Sequence, residues 1–152
     1  MGRIITIVNQ KGGVGKTTTS VNLSAGLAIY EKETLLLDLD PQGNATSGIG
    51  VDKDKIKYSS YDVLINKVEA QKATVKTEVE FLKLIGSNID LTGAEVELVH
   101  EFAREQKLKE ALELIKDQYE YIIIDCPPSL GLLTVNALTA CTDVIIPIQC
   151  EY

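Results

Sequence analysis

The sequence predicts an α/β fold with a doubly wound, mostly parallel β-sheet. Three observations support it: short, continuous apolar runs, segments of helical spacing between them, and a glycine-rich loop after the first run. Runs that are apolar throughout, rather than alternating, are typical of strands covered on both faces. Their alternation with helices indicates an α/β class with crossover connections. The predicted strands are residues 3–8, 34–40, 81–86, 121–125 and 143–148.

Length and composition are those of one globular domain. The chain has 152 residues, 45% apolar and 24% charged, and we expect residues 1–152 to form a single domain. No apolar run reaches the roughly 18 residues of a membrane span, and the chain starts without a signal-peptide pattern, so we expect a cytoplasmic protein with no membrane contact. A net charge of -7 gives no electrostatic reason for direct nucleic-acid binding by this stretch. Because no helix follows the last strand to cover it, we expect a longer domain that is truncated here at its C-terminus.

The loop after the first strand has the composition of a phosphate-binding turn. Glycines at 12, 13 and 15 let backbone N–H groups approach phosphate oxygens. Lys16 adds a positive charge for the outer phosphates, and Thr17 offers a hydroxyl to Mg²⁺. A helix that begins here turns its positive end toward the same anion. The loop therefore predicts nucleotide binding, although Gln10 stands where the usual G-x-x-x-x-G-K-[ST] pattern has its first glycine, and Lys11 follows it.

Aspartates end two of the predicted strands. Asp125 closes "YIIID", and an unpaired carboxylate after four apolar residues is costly to bury. Because Mg²⁺ takes oxygen ligands near the phosphates, we predict that Asp125 and Thr17 serve the metal. Asp38 and Asp40 end the second strand and, being two apart, point to the same face. An Asp beside the γ-phosphate can orient an attacking water, which predicts hydrolysis.

Three later segments have helical patterns. "YSSYDVLINK" predicts a short helix near 59–66, and Ser87 with Asp90 resembles a capping box opening a helix over 89–102. The buried face of that second helix would contain Leu91, Ala94, Leu98 and Phe102. A third stripe at helical spacing consists of Leu108, Ala111, Leu112, Ile115 and Tyr119.

Cysteine and histidine usage argues against a structural metal or a disulfide framework. Cys126, Cys141 and Cys150 are odd in number and form no C-x-x-C pair, so we expect buried or inert thiols. His100 has no ligand partner at useful spacing and is expected on a solvated helix face.

Three motifs, in this order, resemble those of the ParA family of partition ATPases, including its chromosomal Soj branch, within the ParA/MinD group with a deviant Walker A loop. They are "KGGVGKTT" (11–18), "DLDPQGNAT" (38–46) and "IIIDCPP" (122–128). The similarity extends through essentially the whole chain. It implies a P-loop ATPase fold with the strand order 81–86, 34–40, 121–125, 3–8, 143–148.

The resemblance also implies roles for individual residues. Lys11 is implied to reach across a nucleotide-sandwich dimer to the phosphates of the other subunit, and Lys16 to bind the phosphates of its own chain. Asp40 is implied to position the hydrolytic water, while Asp125 holds magnesium through water. The implied nucleotide contacts are Lys11, Gly12, Gly13, Val14, Gly15, Lys16, Thr17 and Thr18, with Thr17 also a magnesium ligand. Asp38 has two open interpretations, either supporting the site or purely structural.

The family's biology supplies the remaining expectations. ATP/ADP and Mg²⁺ are the implied cofactors, and a homodimer, a ParB-type centromere-binding protein and non-specific DNA are the implied partners of a nucleoid-associated protein. The DNA contacts are expected mostly beyond this chain. Two alternatives stay open: a small-molecule ATP-dependent synthetase or kinase of related fold, against which Lys11 and "DPQGN" argue, and a truncated nucleotide-binding module without turnover.

Overall fold

The computed structural model describes residues 2–9, 11 and 15–150 as one sheet with helices on both faces. The strands are β1 Arg3–Ile7, β2 Thr34–Asp38, β3 Thr74–Lys76, β4 Leu82–Ile85, β5 Tyr121–Asp125 and β6 Asp143–Ile145. The α-helices are α1 Lys16–Ile29, α2 Asn44–Gly48, α3 Ser60–Leu64, α4 Ala70–Ala73, α5 Ala94–Leu98, α6 Lys107–Glu113 and α7 Leu132–Ala140. Short 3₁₀ turns lie at Lys53–Lys55, Ile89–Gly93, Arg104–Gln106 and Lys116–Gln118.

The sheet has the order β3-β4-β2-β5-β1-β6, which confirms the predicted order of the five long apolar runs. Those five strands are parallel, and β3 alone pairs antiparallel, with β4, at one edge. Sequence reasoning missed β3 because it has only three residues and no apolar run. Since parallel strands end at the same edge of a sheet, the carboxyl ends of β1, β2 and β5 meet there.

Both faces of the central strands are buried, which explains their continuous apolar sequences. On β2, Leu36 packs in a cluster on the α1 side, while Leu35 and Leu37 pack in a larger cluster on the opposite side, with residues of α5, α6 and α7. All three leucines are fully buried. Each such side chain contributes about 1.5–3 kcal/mol relative to exposure, so the strands hold the sheet edge rigidly.

The predicted helix over 89–102 is wrong in extent. A 3₁₀ turn at Ile89–Gly93 is followed by only five α-helical residues, Ala94–Leu98. Ala103 adopts a left-handed conformation with φ of 50°, and the chain turns away there, leaving Phe102 92% exposed instead of buried. The predicted Ser87 capping box is also absent: Asn88 accepts the hydrogen bond from Asp90 N, and Ser87 has another partner described below.

Four of the five residues of the third predicted stripe are buried and Ala111 is partly buried, although the helix is shorter than expected. Helix α6 ends at Glu113 and a 3₁₀ turn follows, yet Leu108, Leu112, Ile115 and Tyr119 remain in the core. Helix α3 matches the short helix predicted near 59–66.

Within the part of the chain that the structure describes, there is no helix with both the length and the apolar character required to cross a bilayer.

Candidate functional site

A cleft of about 560 Å³ opens at the carboxyl ends of the central strands. It is formed by the start of α1, the segment after β2, the loop after β5 and the segment after β6. The site therefore draws on parts of the chain that are far apart in sequence but converge at one sheet edge. Its lining residues are Gly15, Lys16, Thr17, Thr18, Asp40, Gln42, Asn44, Pro128 and Gln149.

The N-terminus of α1 forms one wall of this cleft. Gly15 precedes the helix with φ of 79°, a left-handed conformation that glycine adopts without steric cost. Among the described residues, no side chain caps this end and the first helical turn contains no acidic residue. The first-turn N–H groups and the positive end of the helix dipole thus suit an anion. Lys16, the first helical residue, is largely buried beside them.

Asp125 lies next to Thr17, as the predicted metal pair requires. Thr17 Oγ1 donates to Asp125 Oδ2 at 3.0 Å, and Ser20 Oγ donates to Asp125 Oδ1 at 2.7 Å. A hydroxyl and a carboxylate beside an uncapped helix N-terminus are oxygen donors of the kind that Mg²⁺ takes while retaining several waters. The residues present therefore fit a magnesium ion. Sequence reasoning missed Ser20. Its position one helical turn after Lys16 could have predicted that it lies on the same face of α1 as Lys16.

Burial raises the pKa of Asp125 above the ordinary value for a carboxyl. Hydrogen bonds from Ser20 and Thr17 and the positive charge of Lys16 act in the opposite direction, and the nearby Asp40 raises the pKa further. A cation bound at Asp125 would favour the ionised form that metal ligation needs.

Asp40 lines the cleft at the start of the segment after β2. Its Oδ1 accepts a hydrogen bond from Gln42 N at 3.0 Å, and its side chain remains largely buried. The backbone of Asp40 is also fixed, because Ser87 Oγ donates a short hydrogen bond to its carbonyl oxygen. Asp40 thus projects from a segment that is anchored to the end of β4.

Asp38 does not line the cleft. Its Oδ1 accepts from Asp40 N at 3.0 Å, and its Oδ2 accepts from Thr46 N at 2.9 Å and Thr46 Oγ1 at 2.7 Å. Thr46 Oγ1 in turn accepts from Ser87 N at 3.1 Å. Of the two interpretations left open by the sequence, the contacts favour a structural one, in which Asp38 ties the segment after β2 to its own strand.

Because Asp38 is fully buried, desolvation raises its pKa to about 7, despite the hydrogen bonds from Asp40 and Thr46; the charge of Asp125 raises it further. The unfolded chain would titrate the same group near its ordinary value of about 3.9. Between those values the folded state binds the extra proton, so folding stability falls as pH rises.

We therefore expect the nucleotide-free protein to lose stability, by on the order of 3 kcal/mol from Asp38, as pH rises from about 4 through 7. Urea unfolding at pH 5, 6, 7 and 8 measures the effect. Asp38→Asn, which does not titrate, should flatten the profile while lowering its overall level, because its NH₂ group cannot accept and so leaves either Asp40 N or the Thr46 donors without their partner. A free energy of unfolding that is flat or rising over this range would contradict the expectation.

Lys11, the second lysine of the loop, is exposed and does not line the cleft. Its backbone N–H donates to Asn9 Oδ1 at 2.8 Å, and Asn9 Nδ2 donates to the Pro147 carbonyl at 2.7 Å. Of the other predicted nucleotide contacts, Gly12, Gly13 and Val14 lie outside the described residues, as does Gln10.

Of the three cysteines, Cys126 is buried as predicted, and His100 is exposed but lies in a turn rather than on the predicted helix face. Cys126 is buried, and burial raises the pKa of its thiol well above the usual range. Cys141 is partly buried, and Cys150 and His100 are exposed. Across residues 2–9, 11 and 15–150, no three or more His, Cys, Asp or Glu side chains are grouped so as to hold a metal.

Four cleft residues were missed by the sequence reasoning: Gln42, Asn44, Pro128 and Gln149. The first three lie inside the motifs "DLDPQGNAT" and "IIIDCPP", so nearness to Asp40 and Asp125 was the available signal. For Gln149, which follows the last strand, the sequence offered none.

Comparison with known proteins identifies similar chains. A family model described as an AAA domain matches residues 2–152. All 152 residues align, at 59% identity, with 60% of the sporulation initiation inhibitor protein Soj of Bacillus subtilis. They align at 56% identity with 54% of the chromosome partitioning protein ParA of Myxococcus xanthus. The structure of cobyrinic acid a,c-diamide synthase from Mycobacterium smegmatis with bound ADP and magnesium matches with a TM-score of 0.96 and 47% identity, covering 100% of this chain and 62% of that one. The chain thus spans between 54% and 62% of the length of these proteins.

Proposed function

This chain belongs to the ParA family of P-loop ATPases, and from that premise we propose that it is an ATP-driven dimerisation switch used in chromosome or plasmid partitioning. One observation carries the proposal: the uncapped start of α1, Thr17 and Asp40 line one cleft, and the buried Asp125 lies directly behind Thr17, whose hydroxyl donates to it. That combination supports phosphate binding, magnesium ligation and hydrolysis at a single place.

In the proposed reaction, the cleft binds ATP by its phosphates and hydrolyses it to ADP and phosphate. Gly15 and the first turn of α1 offer N–H groups to the phosphate oxygens, and Lys16 contributes a positive charge there. Gly12, Gly13, Val14 and Thr18 are proposed as further phosphate contacts, on the strength of the family pattern. The ion held by Thr17 and Asp125 would neutralise charge on the phosphates.

Asp40 is proposed to act on the attacking water. It lines the cleft from a segment fixed by Ser87, Asp38 and Thr46, so its carboxylate is held in place before any nucleotide arrives. A positioned carboxylate can orient a water molecule and accept its proton.

Lys11 is proposed to contact the nucleotide of a second subunit. Its exposed position and its anchored backbone are compatible with a contact made outside its own chain. Such a contact makes dimer formation depend on ATP, which is the switch.

We expect Lys11→Ala to weaken ATP-dependent dimerisation at least tenfold while leaving nucleotide binding by the monomer unchanged, because one charge-assisted contact is worth about 1.5–3 kcal/mol. Light scattering of the full protein with a slowly hydrolysed ATP analogue measures the dimer. Lys109→Ala, which removes an equal charge from the exposed face of α6, is the control. An undiminished dimer signal would remove Lys11 from the interface.

Family membership also supports partners for the switch. We propose that a ParB-type centromere-binding protein stimulates hydrolysis and that the dimer binds non-specific DNA at the nucleoid, in the cytoplasm. Because residues 1–152 carry a net charge of -7, the DNA contact is proposed to involve other parts of the protein.

The similarity to a structure named as a diamide synthase supplies a second candidate, an ATP-dependent enzyme acting on a small molecule. The two candidates differ in what accelerates turnover. ATP hydrolysis by a partition ATPase should rise with its protein partner and DNA, whereas a synthetase should respond to a small-molecule acceptor. A steady-state assay with each addition separates them.

A further inference from the structure

We propose that Glu95 is a positioning residue for the metal side of the cleft, acting through the N-terminus of α7. The proline loop, defined as residues 126–131, joins Asp125 to α7 and carries Pro128 into the cleft wall. Glu95 belongs to a different element, α5, and does not line the cleft. The proposal rests on the proposed function for its effect on catalysis, but the contact itself does not.

The Glu95 carboxylate accepts both of the first N–H groups of α7. Leu132 N donates to Oε2 at 2.6 Å and Leu133 N donates to Oε1 at 3.2 Å. These are two of the donors that every helix leaves without an intrahelical partner. A negative charge at this end is also favoured by the helix dipole. Glu95 therefore caps α7 from a segment 37 residues away in sequence.

Gly131 makes this cap possible. It precedes α7 with an extended backbone, φ of -77° and ψ of -170°, so its φ and ψ do not require glycine. A Cβ at this position would lie 2.5 Å from both Glu95 carboxylate oxygens. Glycine at 131 therefore leaves the space that the Glu95 carboxylate occupies.

The cap fixes one end of the proline loop, and Asp125 fixes the other. Asp125 is held by Thr17 and Ser20, and within the loop Thr134 Oγ1 donates to the Ser129 carbonyl at 2.7 Å. Pro128 is exposed between these anchors. If the α7 end were released, the loop would sample other arrangements. The apparent affinity for magnesium would then fall in proportion to the fraction of molecules that still hold the arrangement able to bind the ion.

The first test compares two glutamates of one short helix in the full protein. We expect Glu95→Ala to raise the Mg²⁺ concentration for half-maximal ATP hydrolysis about tenfold, while binding of a fluorescent ATP analogue in excess EDTA changes less than threefold. Glu95→Gln, which keeps one carbonyl oxygen, should fall between parent and alanine variant. Glu97→Ala is the matched control, because Glu97 has the same charge on the same helix but bonds Tyr61 Oη instead. If Glu95→Ala weakened analogue binding in EDTA by as much as it raised the Mg²⁺ requirement for hydrolysis, the effect would be a general structural one and the proposal would be overturned.

The second test is a double-mutant cycle between Glu95 and Gly131. Gly131→Ala should by itself reproduce the tenfold shift, because its Cβ displaces the carboxylate. In a Glu95→Ala background the same change should add less than about twofold. A shift near a hundredfold in the double variant would mean that the two residues act independently, contrary to the proposal.

The third test needs no nucleotide. Hydrogen exchange of the Leu132 and Leu133 amides should speed up at least tenfold in Glu95→Ala, while amides in α6 keep their protection. Unchanged exchange at these two amides overturns the cap whether or not the protein is active. Parent protein without magnesium-dependent turnover would refute the proposed function, and the exchange result would still decide the role of Glu95.

Discussion

Lys16→Ala should weaken ATP binding about thirtyfold or more, because hydrogen bonds to charged groups contribute about 1.5–3 kcal/mol each and this lysine lines the cleft at the start of α1, where the phosphates are proposed to bind. The first-turn amides of α1 remain in the variant, so residual binding is expected rather than none. Titration of a fluorescent ATP analogue in the presence of Mg²⁺ measures the change.

Two comparisons make the Lys16 result specific. Lys109→Ala, again as a charge-matched change on α6, should leave affinity unaltered. Thermal unfolding of Lys16→Ala should remain cooperative, because the contact that Ser20 makes to residue 16 is to its carbonyl oxygen, which alanine retains. A variant that folds and binds ATP like the parent would exclude Lys16 from phosphate binding.

Asp40→Ala should lower the hydrolysis rate at saturating ATP about a hundredfold or more while ATP affinity stays within threefold. Positioned general acids and bases contribute roughly 10²–10⁴-fold to rate, and Asp40 is the cleft residue with a carboxylate. Steady-state release of phosphate and binding of a non-hydrolysed analogue supply the two measurements.

The asparagine variant separates chemistry from architecture at this position. Asp40→Asn keeps an oxygen for the Gln42 N–H and so preserves the local turn, but it cannot accept a proton from water. We expect Asp40→Asn to be impaired as severely as Asp40→Ala. Recovery of activity in the asparagine variant would assign Asp40 a purely structural role, and a parental rate in the alanine variant would remove it from the reaction.

The parallel sheet was predictable because its signal is local and strong. Strands covered on both faces need apolar residues at every position, and "TLLLD" and "YIIID" have that composition within five residues each. Strand ends were less predictable. The run 143–148 pairs only over Asp143–Ile145, since hydrogen bonding with β1 stops there. Composition alone does not determine where pairing ends.

The segment 89–102 shows where periodicity misleads. Its apolar spacing does bury Leu91, Ala94 and Leu98, but it does so through a 3₁₀ turn and a single short helix. The left-handed conformation at Ala103 has no signature in the sequence, because alanine is ordinarily a helix former. Tertiary packing against α7 and α3 decided the path instead.

The site was partly predictable for a related reason. Asp40 and Lys16 follow long apolar runs closely, so sequence alone predicted that they would meet at one edge of the sheet. Whether Asp38 faced the cleft depended on Thr46, eight positions later in the short helix α2. The Glu95 contact crosses 37 positions between two elements. Such pairings depend on the three-dimensional path of the chain, so no periodic sequence pattern predicts them.

The parallel register that sets Asp38 opposite Asp125 on adjacent central strands has an evolutionary consequence. Burial raises the pKa of both carboxyls, so keeping either of them ionised costs folding stability. A selection for thermal stability alone would favour asparagine at 125, where the hydroxyls of Thr17 and Ser20 can reorient to satisfy an amide. If Asp125 holds the proposed magnesium ion, keeping aspartate there exchanges some folding stability for activity.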